Sequence, residues 1–233
     1  DARHFWGMVT RFHRPARAVL VATPRLGREL AAHGLHSTRI WSRGVDCAQF
    51  DAQLTPLPQL ADLPRPVALS VGRVAVEKNL EAFLDADFAG SKVVVGDGPA
   101  LASLRARYPS VIFTGALHGR DLARAYAGAD VFAFPSRTDT FGLVMIEALA
   151  SGTPIAGYPV AGPLDIIGAD GCGVVPGFGA RIGAINEDMA NALQLALTAR
   201  PDDCVAYARQ FSWEACLDQF LSALQPPAFA QVA

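Results

Sequence analysis

Three features are scarce in this sequence of 233 residues: excess charge of one sign, paired cysteines and long apolar runs. The 20 Lys and Arg residues nearly balance 22 Asp and Glu, and no basic block appears, so a nucleic-acid partner is not indicated. The four cysteines have no CxxC spacing, which argues against a zinc site and a disulfide framework. No apolar run approaches bilayer-crossing length and no secretory leader is seen at the start. We therefore expect a cytoplasmic protein with reduced cysteines.

What the sequence does contain is an alternation of short β-rich runs and helical patterns. With 51% hydrophobic residues, the chain can bury at least one sizeable core. The strand candidates after residue 66 are 67–71, 92–95, 111–114, 131–134, 155–158 and 173–175. Such alternation predicts an α/β fold in which helices cover both faces of a parallel sheet. Ligands of such sheets bind at the carboxyl ends of the strands.

The most informative segment is 134–154, which reads FPSRTDTFGLVMIEALASGTP. A strand ending at Phe134 is followed by the TDT loop and by a helix predicted from Phe141 to Ser151. The start of such a helix offers unpaired N–H groups and the positive end of its dipole, which attract phosphate. Gly142 keeps the approach to these groups open. The segment predicts a site for a phosphorylated sugar.

Two acids accompany this predicted helix. Asp139 lies just ahead of it and Glu147 about two turns inside it. Carboxylates are good acceptors for the hydroxyl groups of a sugar or a ribose. The alternative is structural, with Asp139 as the N-cap and Glu147 as a solvated or satisfied helix acid. These two residues alone leave both interpretations open.

A second segment, VGRVAVEKN, follows the strand candidate 67–71 and supplies two cations. Arg73 and Lys78 flank the loop at the end of that strand and can neutralise a diphosphate. In the structural alternative Arg73 is solvated and Lys78 pairs with Glu77 or Glu81.

A third segment, KVVVGDGPALASL at 92–104, has the appearance of a dinucleotide fingerprint. Gly96 and Gly98 permit a sharp turn between a strand and a helix. However, the third glycine position holds Leu101, and the next strand ends without the acid that would hold an NAD ribose. NAD is therefore not indicated.

Together the three segments resemble the retaining glycosyltransferases of family 4, which have the GT-B architecture. The matching features are two acids separated by seven residues, a Phe-Gly pair between them, and the Arg and Lys motif about 60 residues earlier. The family usually has Glu at the first acid, where this chain has Asp139. The resemblance implies an α/β fold with a Rossmann-like parallel sheet.

The same resemblance implies a role for each site residue. Asp139 contacts the transferred hexose, Glu147 binds the ribose, and Arg73 and Lys78 clamp the diphosphate. The remaining implied donor-binding residues are Gly72, Gly96, Gly98, His118, Phe141, Gly142, Leu143 and Val144. Of these, the residues after Phe141 hold phosphate through their amides, and His118 lies in the 116–118 segment expected at the base.

The implied reaction moves a hexose from a UDP- or GDP-sugar to a lipid or saccharide acceptor, with front-face attack and retained configuration. No cofactor and no divalent metal are required. The forms TDTFGLV and GPLDII look most like bacterial members acting on lipid or polysaccharide precursors, among them mannosyltransferases. Two alternatives stay open: a GT-B epimerase or phosphorylase, and a nucleotide-sugar-binding module without transfer activity.

The resemblance also implies a division of the chain. Residues 1–50 correspond to the end of an N-terminal acceptor domain, 51–65 to a Pro-rich linker, 66–211 to the donor-binding domain, and 212–233 to a C-terminal helix and tail. We therefore expect a truncated first domain and an incomplete enzyme. The missing domain would be the part that allows peripheral contact with the inner face of a membrane.

Overall fold

The elements of the fold are described here from a computed structural model, which describes residues 2–139 and 141–224. In chain order they are α1 (Ala2–His13), β1 (Val19–Val21), α2 (Pro24–Ala32), β2 (Thr38–Ile40), α3 (Pro58–Ala61), β3 (Val67–Val71), α4 (Leu80–Leu84), β4 (Ser91–Val95), α5 (Leu101–Arg107), β5 (Ile112–Gly115), α6 (Gly119–Ala127), β6 (Val131–Phe134), α7 (Leu143–Ala150), β7 (Ile155–Gly157), α8 (Ala161–Ile167), β8 (Gly183–Ile185), α9 (Met189–Ala196), α10 (Pro201–Ala208) and α11 (Trp213–Leu224). No helix in these described ranges is long and apolar enough to span a membrane.

The chain forms two compact units, one of residues up to 44 together with those from 210 onward, and one of residues 45–209. In the first unit β1 and β2 pair in parallel. Its small core consists of Val21, Leu30 and Leu35. Thr23 begins α2 as its N-cap, because its hydroxyl accepts the Leu26 N–H at 3.2 Å.

The second unit contains a six-stranded parallel sheet with the order β5-β4-β3-β6-β7-β8. The chain leaves β3 toward β4 and β5, and then crosses to the other side of β3 to form β6. Leu69 in β3 accordingly faces Val93 on one neighbouring strand and Phe132 on the other. The predicted parallel sheet is confirmed, and the strand order reverses between β3 and β6.

Helices cover both faces of this sheet, as predicted. One face packs Ala68, Val94 and Ala133 against α4, α5 and α9 in a single buried cluster. Leu69 and Phe132 alternate with those residues along their strands, so they point to the opposite face, which α6 and α7 cover. Both layers are apolar, which explains why the strands read as nearly continuous hydrophobic runs.

One strand prediction is wrong. Residues 173–175 form no strand, and the sixth strand is β8 at Gly183–Ile185. Gly168, Gly171 and Gly173 all have positive φ angles, which interrupt extended backbone. The Val174 N–H is donated to the hydroxyl of Tyr207 at 2.9 Å and not to a neighbouring strand.

The two compact units have bounds of their own, and the predicted division into domains stays a prediction. The 51–65 stretch belongs to the second unit, where Arg124 donates hydrogen bonds to the carbonyls of Thr55 and Pro56. In the first unit, α11 packs on residues 41–44, since the Gln219 side chain accepts the Ser42 N–H at 2.8 Å. The assignment of residues 1–50 to an acceptor domain stays a prediction.

Candidate functional site

A cavity of about 280 Å³ lies at the carboxyl ends of β3 and β6, where the strand order reverses. Such a switch point is the usual ligand site of an open α/β sheet. Its lining consists of Ser70, Val71, Gly72, Arg73, Lys78, Leu80, Val94, Phe134, Pro135, Ser136, Asp139, Gly142, Leu143 and Val144. The structure therefore brings together seven of the residues predicted from sequence, namely Gly72, Arg73, Lys78, Asp139, Gly142, Leu143 and Val144.

The central feature of this cavity is an ion pair between Lys78 and Asp139. The Lys78 ammonium lies 2.8 and 2.7 Å from the two carboxylate oxygens, and the side chains are 30% and 27% exposed. The structural alternative proposed Glu77 or Glu81 as the partner of Lys78. The structure shows that Lys78 pairs with Asp139 instead. The pair sets a positive and a negative group side by side in one partly buried site.

Asn79 positions this ion pair, although sequence reasoning did not single it out. Its backbone is left-handed, with φ 53°, and its side chain donates to the Pro135 carbonyl at 3.0 Å. This bond ties the loop after β3 to the loop after β6, which carry Lys78 and Asp139 respectively. An Asn directly after the Lys was the available signal, because Asn tolerates the left-handed conformation better than most residues.

Arg73 is the more exposed of the two predicted cations. Its side chain is 66% exposed and lies 3.4 Å from Glu77 at the i,i+4 position. Here the structural alternative and the predicted role are compatible, because an exposed, weakly held guanidinium can turn toward an anion in the cavity.

The loop after β6, which carries Asp139 and is called the acid loop here, is followed by a helix that begins later than predicted. α7 starts at Leu143, and its N-cap is Gly142, with φ 79°. Asp139 is therefore not the N-cap, and the structural alternative for that residue is wrong. Leu143 and Val144 line the cavity in the first turn, where backbone N–H groups lack helical partners. Phe141 is buried and does not belong to the cavity lining, and Thr140 lies outside the described residues.

Contacts from outside the cavity hold the acid loop. The Arg137 guanidinium lies 3.7 Å from the centre of the Tyr158 ring and 3.2 Å from a Glu187 carboxylate oxygen. A side chain at Gly162 would approach within 3.3 Å of the Asp139 carbonyl oxygen, so α8 packs closely behind the loop. Arg137, like Asn79, was missed because its partners are distant in sequence.

Glu147 is the fifth residue of α7, about one turn into the helix rather than two, and it does not line the cavity. Its carboxylate accepts a hydrogen bond of 2.9 Å from the hydroxyl of the fully buried Tyr126. Burial raises the pKa of Glu147, and the bond from Tyr126 opposes that rise. One oxygen is engaged in this bond and the other can accept a second donor.

A second cavity of about 280 Å³ adjoins the first, since Val71, Gly72 and Arg73 line both. Its other walls are Val95, Gly96, Asp97, Ala116, Leu117 and His118. His118 is exposed and takes the N-cap position of α6. The structure thus places His118 and Gly96 beside the cation-bearing loop, whereas Gly98 lines neither cavity.

The glycines of the GDG loop serve close packing of backbone. A Cβ on Gly96 would lie 1.8 Å from the Gly72 carbonyl oxygen, and a Cβ on Gly98 would lie 2.3 Å from that of Val74. At Gly72 an added Cβ meets no atom of the described residues within 4 Å. Gly96 and Gly98 therefore bring two loops together, while Gly72 lines both cavities.

Across residues 2–139 and 141–224, no cluster of three or more His, Cys, Asp or Glu side chains could hold a metal ion. The expectation that the reaction needs no metal stays a prediction.

Solved structures with similar folds include glycosyltransferases. Sucrose-phosphate synthase from Thermosynechococcus elongatus matches with a TM-score of 0.66 and 25% identity, over 88% of this chain and 57% of that one. Anabaena HepE, solved with UDP and glucose, matches with a TM-score of 0.70 and 18% identity, over 96% and 68%. The fold is the Rossmann-like α/β fold of GT-B glycosyltransferases.

Sequence comparison assigns the family. Residues 65–198, more than half of the chain, match the family described as Glycosyl transferases group 1, and the chain belongs to that family. A GDP-mannose-dependent alpha-mannosyltransferase of Mycobacterium tuberculosis is 37% identical, with 71% of this chain and 45% of the relative covered. Sulfoquinovosyl transferase SQD2 of Arabidopsis thaliana is 34% identical, with 71% and 35% covered. The chain thus spans less than half the length of these two relatives.

Proposed function

We propose that this chain carries the donor site of an enzyme that transfers a hexose from a nucleoside-diphosphate sugar to a lipid or saccharide acceptor with retention of the anomeric configuration. The observation that carries the proposal is the convergence of Lys78, Asp139 and the first turn of α7 on one cavity. A cation and unpaired N–H groups suit a diphosphate, whereas a neighbouring carboxylate suits sugar hydroxyls. Arg73 adds a second positive charge to the same lining.

In the proposed reaction the acceptor hydroxyl attacks the anomeric carbon on the face from which the diphosphate leaves. The bond from that carbon to the phosphate oxygen breaks, the bond to the acceptor oxygen forms, and the acceptor proton passes to the leaving diphosphate. Lys78, Arg73 and the N–H groups of α7 stabilise the charge that builds on the diphosphate. This scheme assigns no nucleophile to the protein and requires no divalent metal.

The proposed donor is a UDP- or GDP-sugar, with its base in the second cavity beside Gly96 and His118 and its ribose at Glu147. One relative of the chain is a GDP-mannose-dependent mannosyltransferase, which supports testing GDP-mannose first. With a lipid acceptor, the reaction would take place in the cytoplasm at the inner face of a membrane.

A nucleotide-sugar-binding module without transfer activity is the second candidate. It is favoured by the partial span, since the chain covers 35% and 45% of the lengths of the two relatives above. Release of nucleoside diphosphate from the donor, measured with and without acceptor after coexpression of the chain with the remaining part of a longer relative, distinguishes transfer from binding alone.

Calorimetry with UDP and GDP tests the donor site directly. Arg73→Ala and Lys78→Ala should each weaken binding by about 1.5–3 kcal/mol, because each removes a charge-assisted contact. The loss should be larger for Lys78→Ala, since that change also leaves the Asp139 carboxylate without its cation.

Arg107→Ala is the matched control. Arg107 pairs with Glu81 at 2.8 Å and lines neither cavity, so its removal should leave nucleotide affinity unchanged. Unchanged affinity in both the Arg73 and the Lys78 variants would contradict the proposed site.

A further inference from the structure

A fully buried tyrosine hydroxyl contacts the acid to which we assign the ribose. Tyr126 lies on α6 with no exposed surface, and its hydroxyl donates to Glu147 Oε2 on α7 at 2.9 Å. Because this bond joins two adjacent helices, the carboxylate has a fixed partner from outside its own helix. Neither Tyr126 nor Glu147 is among the residues that line the two cavities.

We propose that Tyr126 is a positioning residue for Glu147, which it holds in the orientation where the second carboxylate oxygen, Oε1, accepts a ribose hydroxyl. The inference rests on the proposed function, in which Glu147 binds the ribose of the donor. Tyr126 itself touches neither donor nor acceptor in this scheme.

The ring of Tyr126 is held independently of its hydroxyl. It packs edge to face on Phe50 and lies 5.7 Å, centre to centre, from Phe132. Thr153, 1% exposed, donates its hydroxyl to the Tyr126 backbone carbonyl at 2.9 Å. Loss of the hydroxyl alone should therefore leave the ring and α6 in place.

The bond gives Glu147 two properties that a ribose site needs. A free Glu side chain has several rotamers, and an anchored one loses less conformational entropy when it meets a ligand. Donation from Tyr126 also lowers the pKa of a carboxyl that burial raises, so it favours the ionised acceptor. Both effects act on the ribose hydroxyls and on no other part of the donor.

The test compares nucleotides that differ only in the ribose. Affinities of the 233-residue chain for UDP, GDP and their 2′,3′-dideoxy counterparts give a ribose preference as the ratio of each pair. Tyr126→Phe should reduce this ratio about five- to tenfold, the equivalent of one net hydrogen bond. The affinity for the dideoxy nucleotides should stay unchanged, which a general loosening of the fold would not produce.

Tyr207→Phe is the matched control. Tyr207 is 2% exposed in the same unit, and its hydroxyl donates to the Ile166 carbonyl at 2.8 Å and accepts the Val174 N–H at 2.9 Å. This variant loses hydrogen bonds in the core but none to Glu147. It should lower the unfolding temperature and keep the ribose preference.

The outcomes separate the inference from the proposed function. An unchanged ratio in Tyr126→Phe, or an equal fall in Tyr207→Phe, overturns the positioning role alone. A wild-type ratio of one overturns the assignment of ribose to Glu147, and with it the positioning role. Absence of binding of either nucleotide by the wild-type chain overturns the proposed function and the inference together.

Discussion

The ion pair between Lys78 and Asp139 joins two residues with different proposed ligands. Lys78 is assigned to the diphosphate and Asp139 to the hexose, yet each holds the other at 2.7–2.8 Å. A change in one side chain will therefore alter the electrostatics of the other. Single substitutions here measure the pair as well as the ligand contact.

Asp139→Asn should affect the binding of the free nucleotide and of the nucleotide-sugar differently. Loss of the carboxylate releases the Lys78 charge toward the diphosphate, so binding of free UDP or GDP should stay equal or tighten. Binding of the matching nucleotide-sugar should weaken by about 1 kcal/mol or more relative to the free nucleotide, because a hexose contact is lost. Calorimetry of both ligands checks this, and equal weakening of both would exclude the hexose role.

Glu147→Gln should make the fold more stable and ribose binding weaker. The carboxyl has a folded-state pKa above its ordinary 4.5 because of burial, so as a carboxylate it costs folding free energy at neutral pH. The amide removes that cost and still accepts from Tyr126. We expect a higher unfolding temperature for the variant at neutral pH, and a weaker ribose preference by about tenfold.

The stability advantage of Glu147→Gln over the wild type should depend on pH, in a direction that the raised pKa of Glu147 determines. As pH falls through the raised pKa, the folded wild type binds the proton more readily than the unfolded chain, so the cost disappears. The advantage of Glu147→Gln should therefore shrink as the pH falls from neutral toward 4.5. Thermal unfolding at a series of pH values measures it, and an advantage that grows on acidification would refute the assignment.

At the scale of elements, the loops after β3 and β4 approach so closely that Gly96 has no room for a side chain. Gly72 and Gly96 have similar φ angles, 151° and 143°, so alanine strains both backbones alike. The clash with the Gly72 carbonyl is added only in Gly96→Ala. Comparison of the two variants therefore isolates loop packing from backbone strain.

Gly72→Ala should cost about 1–3 kcal/mol of backbone strain, and Gly96→Ala distinctly more. Gly72→Ala should nevertheless weaken nucleotide binding out of proportion to its stability loss, because Gly72 lines both cavities. Urea unfolding and calorimetry of both variants provide the measurements. Equal loss of stability in the two would show that the loops can separate freely.

Much of the second unit could be predicted from the sequence. The strands β3 and β6 have the predicted bounds, and β4 and β5 begin or end within one residue of prediction, because buried parallel strands between turn signals are unambiguous. The strand β8 could not be predicted, since GAI is short and its glycine is not typical of strands. Residues 173–175 in the glycine-rich turn before β8 include two valines, so their sequence is more typical of a strand than that of β8.

The sequence could predict which residues form the candidate site, but not which of their side chains contact each other. Local motifs identified Arg73, Lys78 and Asp139, whereas the ion pair joins residues 61 positions apart. The bond from Tyr126 to Glu147 depends in the same way on how two helices pack. Such contacts follow from tertiary geometry, which spacing in the sequence does not encode.

For the whole molecule, we expect nucleotide binding and sugar transfer to separate. Both cavities are built from residues 70–144 of the second unit, whereas the matches cover only 35% and 45% of the lengths of the two relatives. The chain should bind UDP or GDP, and ligand at 100 times Kd should stabilise the folded state by about 2.7 kcal/mol. It should not transfer sugar to an added acceptor.

Thermal unfolding with nucleotide and a diphosphate-release assay with acceptor check these two expectations. Coexpression with the remaining part of a longer relative is the informative comparison, because it should supply turnover. Efficient transfer by the 233 residues alone would refute this separation.

The wall shared by the two cavities constrains how donor preference can change during evolution. Val71, Gly72 and Arg73 face both the proposed diphosphate site and the proposed base site, so a substitution that adapts one disturbs the other. Ala116, Leu117 and His118 line the second cavity alone. Descendants that exchange one nucleotide base for another should therefore diverge at 116–118 while 71–73 stays constant.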